Sequence, residues 1–229
     1  RLDGRAGARH TLSATFGVFP SDMDQADLNT FIPPDATVHQ RQQAVTVALT
    51  DSFQVRPATT LESTIAATHF SSRSNGQGAA TMIVTPDEVL GNFYNDQDRR
   101  ATTLQLREVF STVHTGMLGQ HFFKAGVDAL YTGYAETSTS RPIEVRRADA
   151  SLAETLTFDA TSRRQSRTND AAVFVQDWWQ LHSRLLFEAG ARVEYSGAFD
   201  AMTLAPRVAA TYAVRPDGSA ALRAGIGIF

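Results

Sequence analysis

The sequence predicts an all-β protein whose antiparallel strands form a segment of a transmembrane β-barrel. Three observations support this. Apolar and polar residues alternate with period two over much of the chain, and no helical spacing is sustained. Long and short connections alternate between the predicted strands. Several strands also approach the ~9–11 residues that a tilted strand needs to cross a bilayer.

The clearest alternation lies in residues 185–196. Odd positions from Leu185 to Tyr195 are apolar, whereas even positions from Glu188 to Glu194 carry Glu, Gly or Arg. The pattern recurs along the chain, with residues 61–72 and 100–114 placed partly by position. Arg107 and Glu108 are adjacent, so a regular strand must turn one of them towards its apolar side. We predict about nine up-and-down strands: 9–18, 42–55, 61–72, 100–114, 121–136, 171–179, 185–196, 206–215 and 220–229.

The connections between these strands are sorted by length. Outer-membrane barrels have short periplasmic turns and long extracellular loops, so the sorting predicts that the long connections are extracellular. Within the longest loop, residues 142–147 and 152–158 are expected to form a small hairpin. The long loops are 19–41, 73–99, 137–170 and 197–205, and the short turns are 56–60, 115–120, 180–184 and 216–219.

Composition excludes several classes of protein. The chain has 21 basic and 24 acidic residues, a net charge of −3 and no cysteine. It therefore lacks the basic excess of a nucleic-acid binder and cannot hold disulfides or thiolate-bound metals. No glycine-rich phosphate loop or catalytic motif occurs, and we expect no cofactor, metal or enzyme activity. His114 and His121 flank a turn, but two ligands do not make a zinc site.

The same alternation also fits a soluble or cell-surface β-sandwich, in which the apolar faces form a core. An outer-membrane enzyme, with a site assembled from distant strands, is a third and weaker alternative. Mixed charges on the polar faces and aromatic residues near strand ends favour the barrel, where rings form two interfacial belts. The expected belt residues are Phe53, Trp178, Trp179 and Phe187 near the short turns, and Tyr131, Tyr134 and Tyr195 near the long loops.

The last quarter of the sequence contains four motifs in order. They are Phe174-Val175-Gln176-Asp177-Trp178-Trp179, then Leu185 to Tyr195 with Gly190, Arg192 and Glu194, then Pro206-Arg207 leading to Tyr212, then Arg223-Ala224-Gly225-Ile226-Gly227-Ile228-Phe229. Together these motifs resemble the Y/F-x-Q-D-x-W, L-x-x-x-x-G-x-R-x-E, P-R-x-x-x-x-Y and R-x-G-x-G-x-F strands of TonB-dependent outer-membrane receptors. The resemblance is specific over residues 171–229 and only architectural before them.

The motif residues have expected structural roles. Gln176 and Asp177 should end a strand and bond a tight turn, while Trp179 anchors at the membrane interface. Gly190 and Gly225 should relieve crowding on the concave lumen face or permit strand coiling. The full set carried over from the resemblance is Phe174, Gln176, Asp177, Trp179, Gly190, Arg192, Pro206, Arg207, Tyr212, Arg223 and Gly225.

The resemblance implies a receptor in the outer membrane of a Gram-negative cell. Such a receptor takes up a scarce ligand, for example a siderophore, cobalamin or an oligosaccharide, and is energised by the TonB complex. Residues 1–229 would then be an internal piece of a barrel of about 22 strands, without its plug domain. Phe229 lies outside the apolar phase of its strand. We therefore expect the sequence to stop there in the middle of a strand rather than at the end of the protein.

Partners follow from the same resemblance. Outer-membrane lipid would contact the apolar strand faces, and the TonB complex would act through the missing N-terminal region. A small extracellular ligand would bind the long loops 19–41, 73–99 and 137–170. The loop charges Arg146-Arg147 and Arg163-Arg164 are candidates for contact with lipopolysaccharide phosphates or an anionic ligand. Ordinary solvated charge explains them equally well.

Overall fold

The computed structural model describes residues 1–116, 118–159, 161–217 and 219–228, so Phe229 lies outside the described residues. One sheet contains ten strands, each antiparallel to its neighbours. In order across the sheet they are β1 (Leu2–Ala6), β2 (His10–Ala26), β3 (Val38–Arg56), β4 (Thr59–Gly76), β7 (Asn95–Gly116), β8 (Gly119–Ser140), β11 (Thr161–His182), β12 (Leu185–Ser196), β13 (Ala201–Ala213) and β14 (Ala221–Gly227).

Long connections build a second sheet of four short strands. Its order is β10 (Leu152–Leu156), β9 (Ile143–Arg146), β5 (Met82–Val84) and β6 (Val89–Leu90). The predicted hairpin in the longest loop is confirmed as the β9–β10 pair. A 3-10 turn covers Pro34–Ala36. The described residues contain no helix that is long and apolar enough to span a membrane.

Each of the nine predicted strands corresponds to a strand of the ten-stranded sheet, and most are longer than predicted. β11 begins at Thr161 rather than at residue 171. The prediction missed its first residues because they are polar on both faces and show no alternation. The missed tenth strand is β1, whose five residues are all exposed and include only one large apolar side chain, Leu2. Gly7 in the turn that follows has φ +69°, a left-handed conformation that favours glycine.

The predicted sorting holds for the first six of the eight predicted connections and fails for the last two. The three longest connections are 27–37, 77–94 and 141–160, all at one end of the sheet. The connection expected at 197–205 is only 197–200, because β13 starts at Ala201, and the next connection widens to 214–220. Asp200, at φ +49°, completes the tight turn before β13.

Successive side chains along each strand point to opposite faces of the large sheet. One face, here called the apolar face, carries large exposed side chains, and the opposite polar face carries the predicted Lys124, Asp128, Glu188, Arg192 and Glu194. Exposed members of the apolar face include Leu49 (56%), Ile65 (61%), Leu104 (50%), Val173 (58%) and Leu204 (58%).

The sheet has almost no buried core. Among the described residues, the buried apolar side chains are Ala36, Val38, Val109, Ile143 and Ala172. A β-sandwich of this length would bury many more residues between two apolar faces. The sandwich alternative is therefore wrong for this fold, and the exposed apolar face requires an apolar environment such as lipid.

The alternation continues without a bulge through Arg107 and Glu108. Arg107 lies on the polar face, opposite Asp128. Glu108 lies on the apolar face with Leu104 and Leu106, where Ser63 Oγ donates a 2.6 Å hydrogen bond to its Oε2 atom. The carboxylate is therefore paired across the strands rather than moved away by an irregularity.

Two of the predicted belt residues are on the wrong face. Trp178 and Tyr134 occupy even positions of β11 and β8, in phase with Lys124 and Gln176, so they lie on the polar face. Trp179, Tyr131 and Tyr195 lie on the apolar face as predicted.

Candidate functional site

One row of the polar face alternates aromatic and small side chains near the long-loop end of the sheet. We call it the aromatic row. Because neighbouring strands lie ~4.8 Å apart, rings on every second strand repeat at roughly 10 Å. Phe19 and Phe70 remain 64% and 37% exposed. Across β2, β3, β4, β7 and β8 the row consists of Phe19, Ala44, Phe70, Ala101 and Tyr134.

The aromatic row lies between two hydrogen-bonding rows. The row on the short-turn side consists of Gly17, Thr46, Thr68, Thr103 and Thr132. The row on the loop side consists of Ser21, Gln42, Ser72, Arg99 and Glu136. Thr46 Oγ1 and Thr68 Oγ1 are 3.3 Å apart and hydrogen-bonded. Over β2–β4 these three rows contain hydroxyl, amide and aromatic groups and no ionisable side chain.

The glycine in the threonine row makes room for the first ring. A Cβ added at Gly17 would lie 2.7 Å from Cε2 and 2.9 Å from Cζ of Phe19. The Phe19 ring therefore lies over Gly17, close to the threonine row. Any larger residue at position 17 would displace the ring.

The last ring of the row is held by an ion-pair network. The Tyr134 hydroxyl donates to Glu136 Oε2 at 2.9 Å, and Arg99 Nε donates to Glu136 Oε1 at 3.0 Å. These polar atoms lie on the loop side of the apolar band, which ends on β8 at Tyr131. The hydrogen bond from Tyr134, and then that from Arg99, lower the pKa of Glu136, so this carboxyl stays ionised and keeps the ring in place.

The three long loops are interlocked at the same end of the sheet. β5 pairs in parallel with β9, which joins loop 77–94 to loop 141–160. Loop 27–37 joins them through Val89 N to Phe31 O (3.0 Å) and Asn92 Nδ2 to Asp35 O (2.7 Å). The four-stranded sheet therefore behaves as one folded unit rather than as separate flexible loops.

Arg141 fastens this unit to the large sheet. Its Nη2 donates to the Phe93 carbonyl at 2.6 Å, and its Nη1 donates to Asp96 Oδ2 at 3.1 Å. Asp96 Oδ1 in turn accepts the Gly76 amide at 3.0 Å. The rings of Tyr94 and Phe158 stack at 5.1 Å beside this contact.

The structure corrects the roles expected for two motif residues. Gln176 and Asp177 do not end a strand at a turn, because β11 continues to His182. Gln176 Oε1 accepts a hydrogen bond from Arg207, and Asp177 Oδ2 pairs with His121 Nδ1 at 2.7 Å. Trp179 Nε1 donates at 2.6 Å to the Leu118 carbonyl, which lies in the neighbouring turn between β7 and β8.

Phe174 lies on the polar face and covers a glycine on the neighbouring strand. A Cβ added at Gly126 would be 2.6 Å from Phe174 Cε1 and 2.6 Å from the Glu108 carbonyl oxygen. The ring therefore fills the space that a side chain on β8 would otherwise occupy. This contact gives a physical reason for an aromatic residue at this motif position.

The remaining motif residues lie on β12–β14 and are divided between the two faces of the sheet. Arg192 Nε pairs with Glu194 at 2.9 Å, and Arg223 Nε donates to Thr211 Oγ1 at 3.1 Å. Pro206 and Tyr212 lie on the apolar face. A Cβ added at Gly190 would lie 3.3 Å from Arg207 Nε, and one added at Gly225 would lie 2.9 Å from Ala209 Cβ. Both short distances fit the predicted crowding.

The other candidate groups form no reactive cluster. His114 and His121 are opposite each other in the β7–β8 register, as expected, and the His121 ring stacks on Trp179. Within the described ranges no group of three histidine, aspartate or glutamate residues could hold a metal ion. In the longest loop, Arg146 pairs with Glu144 at 2.7 Å, and Arg147 Nη1 donates to the Leu152 carbonyl at 2.8 Å.

Sequence reasoning missed the aromatic row. Its three rings lie on different strands, and only the strand register places them side by side. The available signal was that Phe70 and Tyr134 fall in the polar phase of their strands, where large rings are unusual.

The comparisons with known proteins agree with this architecture. The outer membrane transporter YddB from Escherichia coli is similar over 98% of this chain and 30% of its own, with a TM-score of 0.76 and 13% identity. The RagAB peptide transporter structure is similar over 93% of this chain and 29% of its own, with a TM-score of 0.61 and 8% identity. No curated protein sequence matches the chain.

The chain thus spans less than a third of the two transporter chains it resembles. Its apolar face corresponds to the lipid-facing wall of an outer-membrane barrel, and its polar face to the lumen wall. The family model "TonB dependent receptor-like, beta-barrel" matches residues 3–227. The chain belongs to the TonB-dependent receptor β-barrel family and is located in the outer membrane.

Proposed function

We propose that residues 1–229 form part of a single barrel domain of a transporter that captures a scarce extracellular ligand. The ligand then passes through the lumen under power from the TonB complex, which would act through a segment outside this sequence. The observation that carries the proposal is the interlocked four-stranded sheet, which lies at the loop end directly beyond the aromatic row. A folded loop unit at the end of a polar wall suits capture followed by passage.

The ligand classes to test are those carried by receptors of this kind: a siderophore, cobalamin or an oligosaccharide. RagAB is a peptide transporter, so a peptide is a further candidate. Members of the family are receptors and transporters, and absence of catalysis in this chain remains a prediction.

We also propose lipopolysaccharide contact on the outer surface of the wall. Arg41, Arg73 and Arg100 lie in the phase of the apolar face but on the loop side of its apolar band. Each pairs with Asp22 or Asp98, at 2.8 to 3.1 Å. Arg163 shares this outer phase, whereas Arg164 lies on the polar face opposite Glu136. Both residues lie in β11 rather than in a loop as predicted. Of this pair, Arg163 is therefore the better candidate for a lipid phosphate.

Uptake by cells that carry the full-length receptor tests the proposed function. Labelled ferric siderophore, cobalamin, maltodextrin and oligopeptide are supplied separately to cells with and without functional TonB. We expect one probe to accumulate only when TonB is present, and Arg141→Ala to reduce that accumulation by loosening the loop unit. Exposed Arg215→Ala, in a turn at the opposite end, is the matched control. TonB-independent accumulation of every probe would contradict the proposal.

A further inference from the structure

The aromatic row has the chemistry of a carbohydrate site, and this inference rests on the proposed transport function. We propose that the lumen wall over β2–β4 binds a neutral oligosaccharide as it passes the mouth of the barrel. The site consists of the Phe19 and Phe70 rings, the hydroxyl groups of Thr46 and Thr68, and the Gln42 and Ser72 side chains.

The rings match the faces of sugar units. A pyranose ring presents C–H groups on its faces, and these pack against the electron-rich face of an aromatic ring. Phe19 and Phe70 are 64% and 37% exposed on the polar face, so their rings are available for such stacking. Ala44 between them leaves the gap open, and the spacing of roughly 10 Å suits a chain of sugars rather than one small ring.

The flanking rows match the hydroxyl rims of the sugars. A sugar hydroxyl both donates and accepts hydrogen bonds, as threonine, serine and glutamine side chains do. Thr46 and Thr68 line one side of the rings, and Gln42 and Ser72 line the other. Few convergent polar groups around apolar surface are typical of small-molecule sites.

The absence of charged side chains in the three rows on β2–β4 favours a neutral ligand over a charged one. The three rows over β2–β4 contain no ionisable side chain, whereas the same rows reach Arg99 and Glu136 on β7 and β8. A charged ligand would therefore find no counter-charge in these rows on β2–β4. Arg99 and Glu136 already neutralise each other at 3.0 Å.

Binding of defined sugars to the purified full-length receptor tests this site. The probes are maltohexaose, cellohexaose and mannohexaose, measured by calorimetry, with a ferric siderophore and an oligopeptide as comparison ligands. We expect at least one of the three sugars to bind. Removing either ring by Phe19→Ala or Phe70→Ala should weaken the affinity for that sugar about tenfold, the size expected when one aromatic contact is lost.

Two further variants separate binding from folding. Phe16→Ala is the matched control, because Phe16 lies on the apolar face of the same strand with 66% of its surface exposed, close to the 64% of Phe19. It should leave sugar affinity unchanged. Thr68→Val keeps the shape of the side chain and removes one hydroxyl, so it should weaken binding without loss of folded receptor.

The outcomes distinguish this inference from the proposed function. Sugar affinity unchanged in both ring variants, or binding of none of the three sugars, overturns the carbohydrate site. If TonB-dependent uptake of a siderophore or peptide persists in that case, the transport function stands and only the ligand class is wrong. Loss of TonB dependence for all probes would instead remove the proposed function itself.

Discussion

Trp179 links the end of β11 to the adjacent hairpin turn, and replacing it by phenylalanine tests that link. Its Nε1 atom donates to the Leu118 carbonyl at 2.6 Å. The indole also stacks on His121, with ring centroids 5.3 Å apart, and lies tilted against Phe187 at 6.1 Å. Trp179→Phe removes the hydrogen-bond donor and keeps an aromatic ring in place.

The structure sets the size of the effect. A net hydrogen bond contributes about 0.5–1.5 kcal/mol, and the exposed Leu118 carbonyl can bond water instead, so Trp179→Phe should cost about 0.5–1 kcal/mol. Trp179→Ala also loses two aromatic contacts of about 0.5–1.5 kcal/mol each. Its total cost should therefore be about 3 kcal/mol.

The assay follows folding of the full-length receptor in lipid vesicles over a urea series. Electrophoresis of unboiled samples separates folded from unfolded barrel, so the readout does not depend on tryptophan fluorescence. Trp178→Phe is the control, since Trp178 is adjacent in sequence, lies on the opposite face, and donates no hydrogen bond to another described side chain or carbonyl.

The control variant should be nearly as stable as the wild type. An equal loss of stability in Trp178→Phe and Trp179→Phe would show that the indole hydrogen bond is not the cause. If Trp179→Ala costs no more than Trp179→Phe, the stacking on His121 and Phe187 contributes nothing and the reasoning fails.

Three further predictions concern polar and crowded positions of the wall. Ser63→Ala should lower the free energy of unfolding by about 1 kcal/mol because it leaves Glu108 unpaired on the apolar face. Glu108→Leu should not lower the free energy of unfolding, because leucine suits that face. Equal losses of unfolding free energy in the two variants, measured in urea, would contradict this. Gly126→Val should reduce the yield of folded barrel in vesicles, and adding Phe174→Ala should not restore it, since the clash with the Glu108 carbonyl remains. The lowered pKa of Glu136 means that its stabilising contribution is present above its ordinary value of 4.5 and is lost as pH falls through the lowered pKa. Wild type should therefore melt at a higher temperature than Glu136→Gln at neutral pH and converge with it in acid; a constant difference would refute this assignment.

Much of the architecture could be predicted because it depends on residues within one strand. The alternation from Leu185 to Tyr195 identifies β12 to the residue, since each side chain needs only its own strand to choose a face. The β9–β10 hairpin could also be found within its loop. The first half of β11 was missed because it extends beyond the apolar band, where polarity no longer alternates. β1 was missed because Leu2 is the only large apolar side chain among its five residues.

The sequence by itself determined the class of the fold, its two-faced strands, the end that carries the long loops and the family. The tertiary structure alone decided which side chains meet. Phe19, Phe70 and Tyr134 form one row, and Asp177 pairs with His121 rather than with a turn, only because the strand register brings them together. Register depends on the lengths of turns and on pairing between distant strands, and neither is contained in the periodicity of a single strand.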